Sequence, residues 1–150
     1  MNGAPNPCFF VFLQTRFGTV RAGARKTGLC EVAFVAPHEI PAEGFWESSP
    51  PTPAPDEAVS ILQAFGLWMR DYEARRFRTA DFLLEPEPSS DFARRILAAC
   101  CAIPAGQTRT YAQLAADAGF SPSHARAAAL VMARNRLPLV IPCHRVTASR

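Results

Sequence analysis

Cys143 and His144 stand next to each other and are followed by Arg145, in the segment Leu139-Val140-Ile141-Pro142-Cys143-His144-Arg145-Val146. A free thiol titrates near 8.5 and is only a few per cent ionised at neutral pH. Cationic neighbours raise the thiolate fraction, so this trio suits nucleophilic attack by sulfur. Three other readings compete: Cys143 as a buried core thiol, Cys143 and His144 as metal ligands, or His144 as a merely hydrogen-bonded imidazole. Adjacent residues chelate one ion poorly and the chain has no CxxC or HxxxH spacing, so no metal is expected. A hydrolase built on Cys143 and His144 would want a second, distant histidine, and His38 and His124 lie outside any recognisable motif.

A reactive side chain must be presented by a turn. Pro142 supplies one, with Leu139-Val140-Ile141 before it expected as a short buried strand. Upstream, Thr110 precedes a helix over 111–118 that ends at Gly119, and Ser121 caps a second helix with Pro122 in its first turn, running to about Arg134. Helix, glycine turn, capped helix is the outline of a helix-turn-helix. Ala125, Ala127, Ala128 and Ala129 give the second helix a low-relief surface from which Arg126 and Arg134 project. Such a surface fits either a nucleic-acid groove that Arg126 enters or close packing against a neighbouring helix. A transcription regulator would show bulky base-reading side chains there instead.

Charge separates along the chain. Residues 1–91 carry 8 Lys+Arg against 12 Asp+Glu, whereas residues 92–150 carry 8 Arg against Asp117 alone, a balance of −4 followed by one of +7. Arginine suits bidentate phosphate contact and base stacking, so the basic segment is the footprint of a polyanion, although a solvated basic face has the same composition. With 49% hydrophobic and 19% charged residues the 150-residue chain is neither disordered nor fibrous. Its longest apolar run, Cys8–Leu13, is far short of the roughly 20 residues of a membrane helix. Five cysteines without a secretory signal argue for reduced thiols and a cytoplasmic protein.

The remaining chain reads as a supporting domain. Residues 1–7 are expected as a loose tail. Phe9–Thr15, Thr19–Ala24 and Leu29–Val35 read as a three-stranded antiparallel meander. The proline-rich stretch 37–56, including Ser48–Pro55, reads as an extended connector. Asp56 then caps a helix whose stripe is Val59, Leu62, Phe65, Met69 and Tyr72, lying over the meander. After a polar stretch, 85–90, Ser90 or Asp91 starts a helix over 92–102 that buries Phe92, Ile96, Leu97 and Cys100. The fold class is therefore α+β: residues 1–90 form an α/β lobe, and 91–150 a helical domain with the helix-turn-helix.

Residues 92–146, with Ile103–Ala115 (IPAGQTRTYAQLA), Ala125–Ala129 (ARAAA), Asn135 and Ile141–Val146 (IPCHRV), resemble the C-terminal domain of the O6-alkylguanine-DNA alkyltransferases. By layout, the N-terminal lobe resembles that family's ribonuclease-H-like domain. The resemblance implies stoichiometric, single-turnover DNA repair, in which an alkyl group passes from O6-alkylguanine, and O4-alkylthymine as a further substrate, to Cys143. It implies no cofactor and a monomer acting on double-stranded DNA, nucleoid-associated in a bacterium and nuclear in a eukaryote. His144 is implied as a base acting through water, Tyr111 as a donor to guanine N3, and Asn135 as a brace for the turn. Arg126 would replace the flipped base, with Thr110, Ser121, Ala125, Ala127 and Arg134 along the DNA. Pro142, Arg145 and Val146 would wall the pocket, the Val146 carbonyl accepting from the guanine amine. Some relatives hold a structural zinc in the N-terminal domain, but Cys8, Cys30 and His38 make an incomplete set.

Two departures from the family pattern are Ala129, where glycine is usual, and Arg136, where proline is usual. The family pattern also continues past Cys143 through a glycine- and tyrosine-containing loop and a helix with a glutamate that orients the histidine. The sequence given ends at Arg150, seven residues past Cys143. On that ground a protein that binds and flags alkylated DNA without efficient transfer is the alternative expectation, although its cysteine weighs against it.

Overall fold

The computed structural model describes residues 8–39, 46–48, 54–85 and 90–148, with 46–48 as backbone only. The expected tail over 1–7 and parts of the two polar or proline-rich stretches, 40–45, 49–53 and 86–89, lie outside the described residues. The chain divides into two compact units, Met1–Pro86 and Glu87–Arg150.

In the first unit β1 (Phe9–Thr15), β2 (Gly18–Arg25) and β3 (Gly28–Val35) form the expected meander, each strand within a residue of its expected limits. The two-residue β1–β2 turn needs Gly18 at φ +115, a conformation closed to most side chains. One face of the sheet is sealed by Phe9, Val11, Val20, Ala22, Ala24, Leu29 and Val32, all buried. The sheet has a fourth strand, however. Within the proline-rich connector, β4 (Trp46–Ser48) pairs antiparallel with β1, Phe9 opposite Ser48 and Val11 opposite Trp46. Three residues without proline suffice to close an edge, where only one side of the backbone needs partners. The opposite edge is covered at Leu29, whose N–H donates to Leu83 O at 2.8 Å and whose carbonyl accepts from Glu85 N–H at 2.7 Å.

Helix α1 (Asp56–Glu73) buries Ala58, Ile61, Leu62, Phe65, Trp68 and Met69, so its inner face is rotated from the expected stripe and leaves Val59 and Tyr72 half-exposed. Asp56 is also not its cap. Pro55, extended at φ −62 and ψ 147, takes that position without a side-chain hydrogen bond, and Asp56 becomes the first helical residue, where its charge still complements the helix dipole.

The second unit is mostly helical. Ser90 caps α2 (Asp91–Cys101) by accepting from Ala93 N–H at 3.1 Å, and Ile96 and Cys100 are fully buried. It continues with β5 (Arg109–Thr110), α3 (Tyr111–Asp117), a 3-10 turn over Pro122–His124, α4 (Ala125–Ala133), a second 3-10 turn over Cys143–Arg145, and β6 (Val146–Thr147). Among the described residues, no helix is long and apolar enough to cross a membrane.

Candidate active site and nucleic-acid interface

Four local devices in the second unit place the chemistry-bearing side chains. The first is the start of α3. Thr110 Oγ1 accepts from Gln113 N–H at 3.2 Å while Gln113 Oε1 accepts from Thr110 N–H at 2.8 Å, a reciprocal cap that fixes Tyr111 as the first helical residue. Tyr111 is half-buried. The Thr-x-x-Gln spacing carries this signal and sequence reasoning passed over it.

The second is the turn of the helix-turn-helix. Gly119 at φ +79 ends α3, its N–H donating to Ala116 O at 2.8 Å and that of Phe120 to Ala115 O at 2.9 Å, the paired bonds of a Schellman stop. A Cβ at Gly119 would collide with the Arg95 guanidinium, which lies over the Phe120 ring at 4.4 Å. Ser121 then caps the 3-10 turn through Ser123 N–H at 3.3 Å, so the helix expected to begin at Pro122 opens as a 3-10 turn and becomes α-helical only at Ala125.

Third is the face of α4. Ala128 is completely buried with Met132, whereas Arg126, Ala127, Leu130, Ala133 and Arg134 are exposed; Ala125 and Ala129 lie half-buried between them. The alanines therefore do not share one surface. Successive helical residues are rotated about 100° apart, so Ala127 looks out while Ala128 is the small residue that allows close internal packing. Leu130, 53% exposed, stands a turn beyond Arg126 and went unnoticed in the sequence. Asp117, the one acid of residues 92–150, is paired with Arg109 at 3.1 Å. Arg126 and Arg134 make no ion pair among the described residues, so α4 presents two unneutralised guanidinium groups.

The fourth device holds Cys143. Residues 139–141 do not form the expected strand. Leu139 and Val140 make a turn, with Leu139 at φ +72, and only Ile141 bridges to Pro138. A leucine in this left-handed region is strained, and the surrounding bonds hold it there. Ile141 N–H donates to Leu137 O at 2.8 Å. Asn135 spans the turn, its Oδ1 accepting from Leu137 N–H at 2.9 Å and its Nδ2 donating to Ile141 O at 3.0 Å. That same carbonyl accepts from Cys143 N–H at 2.8 Å across Pro142, whose φ −79 and ψ 60 make it the centre of an inverse γ-turn. Pro142 is buried, Cys143 half-buried and His144 exposed, so the sulfur sits in neither a sealed interior nor open solvent.

Two long-range links join these devices. β5 and β6 pair in parallel, Arg109 opposite Val146 and Thr110 opposite Thr147, which sews the start of α3, and hence Tyr111, to the segment that follows Cys143. Arg145, expected in a pocket wall, turns its guanidinium to the Ile103 carbonyl at 2.6 Å and so ties the cysteine turn to the end of α2. Thr147 carried no mark in the sequence and Ile103 stood only as the first residue of a motif, without a role; strands of two residues and a backbone acceptor leave no pattern.

The electrostatics separate the thiols. Burial, and then its neighbours Cys101 and Cys143, push the Cys100 thiol up to about 12, with Arg145 opposing, so Cys100 is protonated at neutral pH. His144 is held below its ordinary 6.5, first by desolvation and then by the charge of Arg145, so it is neutral at physiological pH. A cleft of about 510 Å³ between β1 and α1 of the first unit contains none of these groups. No group of three or more His, Cys, Asp or Glu side chains that could hold a metal occurs among the described residues.

Residues 91–150 match the family model of the 6-O-methylguanine DNA methyltransferase DNA binding domain. A methylated-DNA–protein-cysteine methyltransferase from Methanosarcina barkeri is 40% identical over 144 residues, covering 94% of this chain and 83% of that protein. The chain belongs to the methylated-DNA–protein-cysteine methyltransferase family. A family member from Methanothermobacter thermautotrophicus is 50% identical over 60 residues, 40% of this chain and 32% of that protein. The fold agrees too. The crystal structure of Mycobacterium tuberculosis O6-methylguanine methyltransferase superimposes with a TM-score of 0.68 at 23% identity, over 93% of this chain and 78% of that one. The same enzyme in complex with DNA gives 0.68 at 24% identity, over the same shares of the two chains. For a methyltransferase of this family the α+β architecture is thus in place, with the helix-turn-helix inside the matched domain.

Proposed function

We propose that this methyltransferase repairs double-stranded DNA by moving the alkyl group of O6-alkylguanine onto Cys143 in a single, irreversible turnover. The observation that carries the reading is the placement of Cys143: a half-exposed thiol whose backbone N–H is fixed through Ile141 O by Asn135, in a segment bonded by β5–β6 to the strand that leads into Tyr111.

Each step follows from the residues. Neutral His144 takes the thiol proton through a water, and the sulfur attacks the alkyl carbon on O6. The carbon–oxygen bond breaks, its electron pair passes into the purine, and Tyr111 donates a proton toward guanine N3 as charge develops there. The thioether formed is a stable carbon–sulfur bond whose thiolate is a poor leaving group toward water, so one molecule repairs one lesion, and the displacement needs no cofactor. O4-alkylthymine offers the same leaving chemistry.

Reaching O6 inside a duplex requires the nucleotide to leave the stack, at a cost of a few kcal/mol. Arg126, exposed and unpaired on α4, fills the vacated space with a planar cation. Arg134 and the backbone around Thr110 and Ser121 meet phosphates, while Ala127 allows close approach; the half-buried Ala125 lies at the margin. Pro142 and the Val146 backbone border the base, the Val146 carbonyl accepting from the exocyclic amine, with Arg145 holding that wall in place from behind. The protein acts as a monomer in the compartment that holds the DNA, the cytoplasm and its nucleoid in a bacterium or the nucleus in a eukaryote.

The deciding experiment mixes the chain with duplex DNA carrying O6-methylguanine and maps methyl gain by mass spectrometry. The tryptic peptide 137–145 should gain one methyl group, on Cys143. Methylation on any other cysteine, or tight binding of the lesion without transfer, would overturn the assignment and favour a protein that only flags damage.

A further inference from the structure

A second pair of thiols, remote in sequence from Cys143, is built into the sheet of the first unit. Cys8 precedes β1, Cys30 lies in β3, and their sulfurs approach to 2.9 Å across β2, the strand between them. Two irregularities in the sheet permit this. The β2–β3 register runs Gly23 opposite Glu31 and Ala24 opposite Leu29, so Cys30 is the extra residue of a β-bulge, and bulges re-aim a side chain. Gly23, on the strand between the two cysteines, has no side chain; a Cβ there would lie 2.9 Å from the Cys8 sulfur. The missing side chain leaves room beside Gly23 for the edge of the Phe10 ring and the Cys8 sulfur. Cys30 Sγ donates to Gly23 O at 3.4 Å, which turns the bulge residue toward the same glycine.

We propose that Cys8 and Cys30 are a redox-responsive pair that closes to a disulfide by exchange with a small disulfide such as oxidised glutathione. The sulfurs need to move by less than an ångström to reach the bond length of about 2.05 Å. Half-exposed Cys8 attacks the small disulfide and releases one small thiol. Buried Cys30 then displaces the second from the mixed disulfide. Two protein thiols and one small disulfide become one protein disulfide and two small thiols, with no other reactant. In the reduced pair the shared proton rests on Cys8, whose thiol is pushed up by its hydrogen bond to Cys30 and by burial, while the same bond draws Cys30 down with help from Arg25; exposure, not acidity, gives Cys8 the first attack. The bond ties the start of β1 to β3 across the sheet and so constrains the unfolded chain.

The full chain, reduced and then equilibrated with excess oxidised glutathione, is digested with trypsin under conditions that block free thiols. The expected product is peptide 1–16 disulfide-linked to peptide 27–70, lighter by two hydrogens than the two reduced peptides together, and reversed by dithiothreitol. Separate glutathione adducts on Cys8 and Cys30, or two unmodified thiols at full equilibration, would overturn the proposal. In Cys8→Ser peptide 27–70 should carry a free thiol or a glutathione adduct, and linkage of Cys30 to any other cysteine, in that variant or the wild type, would overturn the proposal as well. Native mass spectrometry of the reduced chain with added zinc supplies a further check. A stoichiometric zinc that the wild type retains and Cys8→Ser loses would make the pair metal ligands and sink the redox reading.

Discussion

Asn135→Ala removes one side chain that serves two backbone groups, and its consequences can be worked from the turn. The amide donates to Ile141 O at 3.0 Å and accepts from Leu137 N–H at 2.9 Å. Losing two such bonds removes about 1 kcal/mol each, and Leu137, only 4% exposed, keeps an N–H without its acceptor, a cost of about 1–3 kcal/mol in itself. A stability loss of about 3–5 kcal/mol follows, measurable by urea denaturation. The Ile141 carbonyl also anchors Cys143 N–H at 2.8 Å, so freeing it lets the nucleophile wander. If about 1.4–3 kcal/mol of positioning is lost in the transition state, single-turnover transfer slows by about 10- to 100-fold. Asn135→Asp sharpens the test. It keeps the acceptor for Leu137 N–H but sets a carboxylate oxygen against the Ile141 carbonyl, so it should regain part of the stability and little of the rate. Rapid-quench transfer from O6-methylguanine duplexes, with methylated peptide 137–145 as the readout, measures both variants. Wild-type rates in either variant would refute the claim that Asn135 positions the sulfur.

Other outcomes follow from single features. Because the folded His144 is depressed below 6.5, the unfolded chain binds more protons, so the contribution of neutral His144 is fully present above 6.5 and is lost as pH falls from there through the lower folded value. Its imidazole should titrate below 6.5 by NMR, with the transfer rate rising along the same curve; a midpoint at or above 6.5 would contradict the local electrostatics. Arg126→Ala should slow repair of duplex more than of single-stranded substrate, and reduce the logarithmic salt dependence of binding by about one contact; equal losses on both substrates would remove Arg126 from base displacement. Gly119→Ala forces a side chain into φ +79, and should cost about 1–2 kcal/mol in thermal or chemical unfolding. An unchanged midpoint would show that the turn relaxes.

Much of this protein is written in local sequence. The meander announces itself through short β-rich runs separated by glycine turns, and Ser90, Thr110 and Gly119 mark helix ends by side-chain chemistry that acts within a few residues. The Cys143–His144–Arg145 run and Arg126 were legible for the same reason: the chemistry belongs to the residue types and their adjacency.

What tertiary structure decided is everything that depends on partners distant in the chain. Strand β4 forms within a proline-rich stretch because β1 offers an open edge, and the inner face of α1 is set by the sheet beneath it. The apolar run 139–141 turns instead of extending because Asn135, Leu137 and Cys143 bond to its ends. The alanines of α4 separate into buried Ala128 and exposed Ala127 according to which side meets the interior. Even the Cys8–Cys30 contact required a register shift that no periodicity encodes. Propensity and capping act over a few residues, whereas a hydrogen bond between Arg145 and Ile103 or a pairing of Thr110 with Thr147 exists only once the chain has closed the loop between them, and that closure is where the candidate site is assembled.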